Sequence, residues 1–168
     1  METTVKLYSL SYTQLKTYAF AGLFVAGNIV FPQLCHLVPN GGLILLPIYF
    51  FTLIAAYKYG LTVGLLTAVL SPLANHLLFG MPPAPVLLPI LIKSSILAVA
   101  AALVAHRLGK VSFWGVRTAV LVCQFAGTIL EWTIVKDFFV AIQDFSIGIP
   151  GIILQIFGGY AVLRTLTR

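Results

Sequence analysis

The sequence predicts an all-α integral membrane protein, a single six-helix transmembrane domain over residues 1–168 with both termini in the cytoplasm. Three observations carry that prediction. Hydrophobic residues make up 60% of the chain and charged residues 8%, against about 45–50% and about 25% in a soluble domain. Ten Lys and Arg and four Asp and Glu in 168 residues leave too little polar surface to coat a particle in water. The apolar residues also fall in charge-free runs, and roughly 20 apolar residues per helix cross the hydrocarbon core of a bilayer. Finally, the basic residues punctuate those runs instead of clustering, so the net charge of +6 reads as a topology signal and not as a nucleic-acid surface.

Each element follows from the charge-free runs. The first sixteen residues carry Lys6 and Lys16 and no secretory cleavage pattern, so the first span is expected over Thr17 to Gln33, ended by Pro32 and the turn His36 to Gly42. Leu43 to Tyr57 reads as a short second span. Lys58-Tyr59-Gly60 is a tight connection to a third span, Leu61 to Phe79, expected to bend or break near Ser71-Pro72. Gly80 to Pro85, with three prolines, is a loop. Val86 to Ala105, Thr118 to Val135 and Ile147 to Leu163 are the fourth, fifth and sixth spans. The runs lack the period-two polarity of membrane strands.

Six spans place the N-terminus, the region of Lys58, residues 106–117 and the C-terminus on one side. Lys6, Lys16, Lys58, Arg107, Lys110, Arg117, Arg164 and Arg168 mark that side, which is eight of the ten basic residues. Basic loops stay in the cytoplasm. The other side has Lys136 beside Asp137 and Asp144, and Lys93 falls inside a span.

Polar residues that lipid should exclude gather in the outer half of this bundle. At about 1.5 Å rise per residue, Lys93 lies roughly 10 Å below the outer end of the fourth helix, and Glu131 at a comparable depth in the fifth. Asn28 and Gln33 lie in the outer half of the first helix, Asn75 and His76 near the outer end of the third, and Gln155 two turns into the sixth. His36 and Asn40 are in the first outer loop. Each would cost a few kcal/mol facing lipid, so all should point inward. Two readings follow: a substrate pocket open to the outside, or a Lys93–Glu131 pair that neutralises itself and locks two helices. Gln124, near the middle of the fifth helix, is the exception to the outer-half pattern.

Other signals are plainer. His36 and His76 lack any metal-ligand spacing, and His106 reads as an interfacial residue beside Arg107. Cys35 and Cys123 read as packing residues, and no metal or cofactor is expected. Gly22 and Ala26, one turn apart on the first helix, allow close approach of another helix, as do Ala98 and Ala102. No phosphate-binding loop, zinc-protease motif or nucleophile elbow is present, so the chain is not expected to be an enzyme or to hydrolyse ATP.

Pro47-Ile-Tyr-Phe50, Tyr59-Gly-Leu-Thr-Val-Gly64, Ser71-Pro-Leu-Ala-Asn75, Gly80-Met-Pro82 and Ile92-Lys-Ser94, followed by an Ala-rich helix, resemble the membrane S component of an energy-coupling factor (ECF) transporter. The resemblance extends to size, six spans and cytoplasmic termini. It implies high-affinity capture of a vitamin or related micronutrient in an outward pocket of the cell membrane, here the bacterial inner membrane. It also implies a transmembrane coupling subunit and two ATP-binding cassette ATPases as partners, with Gly22 and Ala26 in place of an Ala-x-x-x-Ala docking pattern. Lys93 would suit a carboxylate or phosphate, Glu131 an amine or ring N–H, and a small, flat, partly anionic vitamin is the expected ligand. The competing readings are a scaffold resembling the rod-shape protein MreD and a small intramembrane enzyme using Glu131, His76 or His36.

Overall fold

The computed structural model describes residues 9–167; Lys6 and Arg168, two of the residues behind the orientation argument, lie outside them. In chain order the helices are α1 (Leu15–Cys35), α2 (Gly41–Leu45), a 3₁₀ turn Pro47–Tyr49, α3 (Phe50–Tyr59), α4 (Leu61–Phe79), α5 (Ala84–Leu108) and α6 (Phe113–Val135). Two short helices, α7 (Phe138–Ala141) and α8 (Gln143–Ser146), lead to α9 (Ile149–Ile153), a π-helical turn Leu154–Gly158 and α10 (Gly159–Leu166). Among the described residues, five helices are long and apolar enough to cross a membrane: α1, α4, α5, α6 and the composite Ile149–Leu166.

The second expected span is not a single helix. Asn40 and Leu46 adopt left-handed backbone conformations (φ 58° and 47°), and Pro47 lacks the N–H that would continue α2. The segment therefore returns in three pieces, and its longest, α3, has ten residues. It is short because it does not face lipid. Leu53, Ile54, Ala55 and Ala56 are fully buried, enclosed by α1, α4, α5 and α10. Gly64 lets α4 come against α3, since a Cβ there would collide with Ala56.

Two prolines expected to interrupt helices do not. Pro32 sits inside α1, which continues to Cys35. Its missing N–H would leave the carbonyl of Asn28, four residues earlier, without a donor. Asn75 of α4 supplies one, Nδ2 to O at 2.8 Å. Likewise α4 runs unbroken through Pro72, as membrane helices do when neighbours hold them. The other spans extend a few residues beyond expectation: α5 begins at Ala84, within the expected loop, and α6 begins at Phe113.

Around the apolar core, many large apolar side chains face outward and several polar ones are buried. Leu15, Leu23, Leu77, Phe125, Ile129 and Phe157 are exposed, while Thr17, Asn28, Thr52, Ser71, Lys93, Gln124 and Gln155 are buried. Lipid accounts for both halves of that pattern, because it solvates apolar side chains and excludes unpaired polar ones. One end of the bundle is tied by basic and backbone groups. Lys58 Nζ donates to the carbonyl of Leu166, near the end of α10, Leu10 N–H donates to Tyr59 O at 3.3 Å, and Tyr57 OH donates to Lys110 O at 3.1 Å. The opposite end carries the 36–40 turn, the 80–83 loop and residues 136–148, with Asp137 capping α7 through Phe139 N–H at 2.9 Å.

Candidate functional site

Three polar arrangements lie in or near that opposite end. The first is a network centred on Asn28. Its Nδ2 donates to Thr52 Oγ1 (3.1 Å) and Ser71 Oγ (3.2 Å), and its Oδ1 accepts from Phe51 N–H (3.3 Å), an otherwise free donor at the start of α3. Thr52 and Ser94 hydroxyls meet at 3.4 Å, and Asn75 Nδ2 reaches both Asn28 O and Ser71 O. Helices α1, α3, α4 and α5 are thereby joined through a fully buried side chain. Asn28 spends both ends of its amide on this network.

The second is a charge cluster. Lys93 on α5 forms ion pairs with Glu131 on α6 and with Asp144 on α8, the latter at 2.8 Å. The three side chains are 5%, 11% and 15% exposed. Gly127 makes room for the lysine stem, because a Cβ there would lie 2.7 Å from Lys93 Cγ. Cys123 Sγ donates to the Lys93 carbonyl at 3.2 Å, tying α6 to α5 one turn below. Asp144 was not among the residues expected at the site. Its position in the loop after the fifth span gives no sign in the sequence that it folds back onto Lys93.

The third is a cleft of about 160 Å³, walled by α1, the Gly42–Ile48 return, α4, the Met81–Pro83 loop and the first turns of α5. Gln33, His36 and Asn75 contribute polar groups; Leu43, Pro47, Ile48, Pro82, Val86 and Ile90 supply most of the rest. Asn75 is 2% exposed, and its Oδ1 has no hydrogen-bond partner. A buried acceptor left in that state costs about 1–3 kcal/mol. The His36 ring packs over Gly42, where a Cβ would come within 2.6 Å of it.

The remaining expected residues sit around these groups. His76 Nδ1 lies 2.7 Å from Pro82 O and ties α4 to the cleft's loop wall. Asn40 starts α2, its carbonyl accepting from Leu43 and Ile44 N–H at 3.0 Å each. Gln155 is buried on the π-helical turn with Nε2 unpartnered, and Gln124 on α6 is buried with Oε1 unpartnered. Gly22 and Ala26 are exposed on α1, with open space beyond the Gly22 Cα. Ala26 borders a second, apolar groove of about 420 Å³ walled by α1, α3 and α10. The expected set thus divides. Gln33, His36 and Asn75 share the cleft, Lys93 and Glu131 share the charge cluster, and Asn28 holds helices together.

Among the described residues, no three His, Cys, Asp or Glu gather as metal ligands. No family model, curated protein or solved structure matches the chain. The structure is that of a multi-pass helical membrane protein with five candidate spans.

Proposed function

We propose that the protein is the substrate-capture subunit of an ECF-type transporter of the cell membrane. It takes up a vitamin or related micronutrient from outside, and a coupling subunit with two ATP-binding cassette ATPases supplies the energy. In this reading the Gly41–Tyr59 return completes six passes, Lys58, Arg107, Lys110 and Arg164 face the cytoplasm with both termini, and the cleft opens outward. The protein performs no chemistry of its own.

The observation that carries the proposal is the cleft itself, whose wall sets Gln33, His36 and Asn75 among apolar and proline faces at the end opposite the basic groups. Asn75 lies in that wall, buried, with its Oδ1 unpartnered among the described residues, as are Gln124 Oε1 and Gln155 Nε2 elsewhere in the bundle. Gln33 and His36 are its neighbours in the wall; His76 and Asn40 shape the rim. The exposed Gly22 and Ala26 and the adjoining groove suit close packing of a partner helix.

Native mass spectrometry of the detergent-purified protein tests the proposal. A co-purified molecule of vitamin size is expected. A clean apo spectrum, with no thermal stabilisation by any member of a vitamin panel, would turn the reading to the MreD-like scaffold.

A further inference from the structure

We infer that the apolar groove between α1, α3 and α10 is a lipid site, taking an acyl chain of an anionic phospholipid whose headgroup meets Lys16 and Lys58. The site goes beyond the capture reading and does not depend on it.

The wall of the groove suits an acyl chain. Leu23, Gly27 and Val30 line it from α1, Phe51 and Ile54 from α3, and Leu166 from α10. No charged or amide side chain borders it. Leu23 and Val30 are exposed, so the groove opens on the lipid-facing flank of the bundle. At Gly27 the two helices come close, since a Cβ there would lie 3.1 Å from the Phe51 ring. From Leu23 to Val30 the helix rises about 10 Å, which fits within the roughly 15 Å of hydrocarbon in one leaflet.

Both helices carry a lysine at the same end of this groove. Residues seven apart on a helix share a face. Lys16 precedes Leu23 by seven residues and continues the stripe of Leu23 and Val30; Lys58 follows Phe51 by seven and Ile54 by four. The two lysines lie at one level, because Phe20, one turn after Lys16, packs on Tyr59, next to Lys58, with ring centroids 4.2 Å apart. Lys16 is exposed and open to a headgroup. Lys58 Nζ donates to the carbonyl of the groove residue Leu166 and lies 5.6 Å from the centre of the Tyr59 ring.

The chain offers these lysines no counter-charge among its described residues. Glu131, Asp137 and Asp144 all lie towards the other end, and the ion pairs found are those of Lys93. Basic pockets between membrane helices on the cytoplasmic side bind anionic headgroups. A free anion would leave the groove empty, and a zwitterionic lipid would leave the lysines without net compensation. An anionic phospholipid of the leaflet at the basic end answers both. It is the occupant of the free subunit, and a helix docking at Ala26 displaces it.

The test exchanges the detergent-purified full chain into mixed micelles holding equal amounts of dioleoylphosphatidylglycerol and dioleoylphosphatidylcholine, and native mass spectrometry counts the lipids retained. One phosphatidylglycerol per chain is expected, favoured over phosphatidylcholine by at least about tenfold. Lys16→Gln should lower that preference about fivefold, the contribution of one basic group beside an anionic lipid. Arg117→Gln removes an exposed cation at the same end, on α6 and outside the groove, and should leave the preference unchanged. Ala26→Phe fills the groove from an exposed position and should abolish retention of either lipid, with the thermal midpoint near wild type. Equal retention of the two lipids would overturn the anionic class. An equal fall in Lys16→Gln and Arg117→Gln would overturn the role of the lysines in favour of general basic charge. Retention that ignores Ala26→Phe would overturn the groove as the site. A dimer that Ala26→Phe dissociates, with no lipid bound, would give the groove to a second copy of the chain.

Discussion

The Lys93 cluster and the cleft lie towards the same end of one bundle, and they treat polarity in opposite ways. The cluster holds three charges, each facing an opposite charge; the cleft wall holds no Asp, Glu, Lys or Arg, and its buried Asn75 Oδ1 has no hydrogen-bond partner among the described residues. Charges in an apolar interior are held by mutual compensation, so the cluster has a structural use as it stands. The cleft is a cavity lined by apolar and neutral polar side chains. In a membrane bundle, then, the more conspicuous residues are the less available ones.

Lys93→Ala should test the cluster with the largest effect. It leaves Glu131 and Asp144 facing each other in an apolar site, a loss of about 3–5 kcal/mol, read as a fall in the thermal unfolding midpoint in detergent. Replacing all three together, as Lys93→Met, Glu131→Leu and Asp144→Asn, should recover most of it. If the single and triple variants unfold alike, the cluster is not a compensated unit. Next comes Asn28→Leu, which strands Phe51 N–H and two hydroxyls and should cost about 2–3 kcal/mol by the same measurement.

Asn75→Leu should sharpen the contrast. It removes the donor to Asn28 O but also removes the unsatisfied Oδ1, so its stability cost should be about 1 kcal/mol or less. Because Asn75 lines the cleft, affinity for the co-purified molecule should nevertheless fall, which calorimetry would reveal. A variant that loses stability as Asn28→Leu does, with affinity unchanged, would reassign Asn75 to the structural network. Gly22→Leu should have the smallest effect on folding, within about 0.5 kcal/mol, because the added side chain meets open space. Co-purification with a coupling subunit should still drop, since the exposed α1 face would no longer pack closely. Unchanged assembly would remove α1 from the docking surface.

Composition and charge-free runs were enough to read the helices that face lipid, because lipid demands long apolar stretches with no exceptions. They were misleading for Leu43–Tyr57, where the demand does not apply: a segment enclosed by other helices can break at Leu46 and Pro47. Neither Pro32 nor Pro72 ends its helix, and at Pro32 the repair comes from tertiary structure, from an Asn on another helix. At the candidate site, depth along each helix brought Gln33, His36, Asn75, Lys93 and Glu131 towards one end, where the structure places the cleft and the charge cluster. Depth carries no angle about the helix axis, so it could not separate Lys93 from the cleft or Asn28 from Asn75. Nor could it find Asp144, or the Pro82 and Val86 walls, which earn their place by position and not by polarity.

The Lys93–Glu131 pair also bears on how the protein is made. A lysine this far along α5 disfavours insertion of that helix alone by about 2.5–3.5 kcal/mol on translocon scales. Its counter-ion lies on the very next helix, joined through the short connection at residues 109–112. Helices α5 and α6 therefore enter the bilayer most readily as a hairpin, the acid shielding the base during synthesis. Asp144 joins them later, from the segment between α6 and the final span.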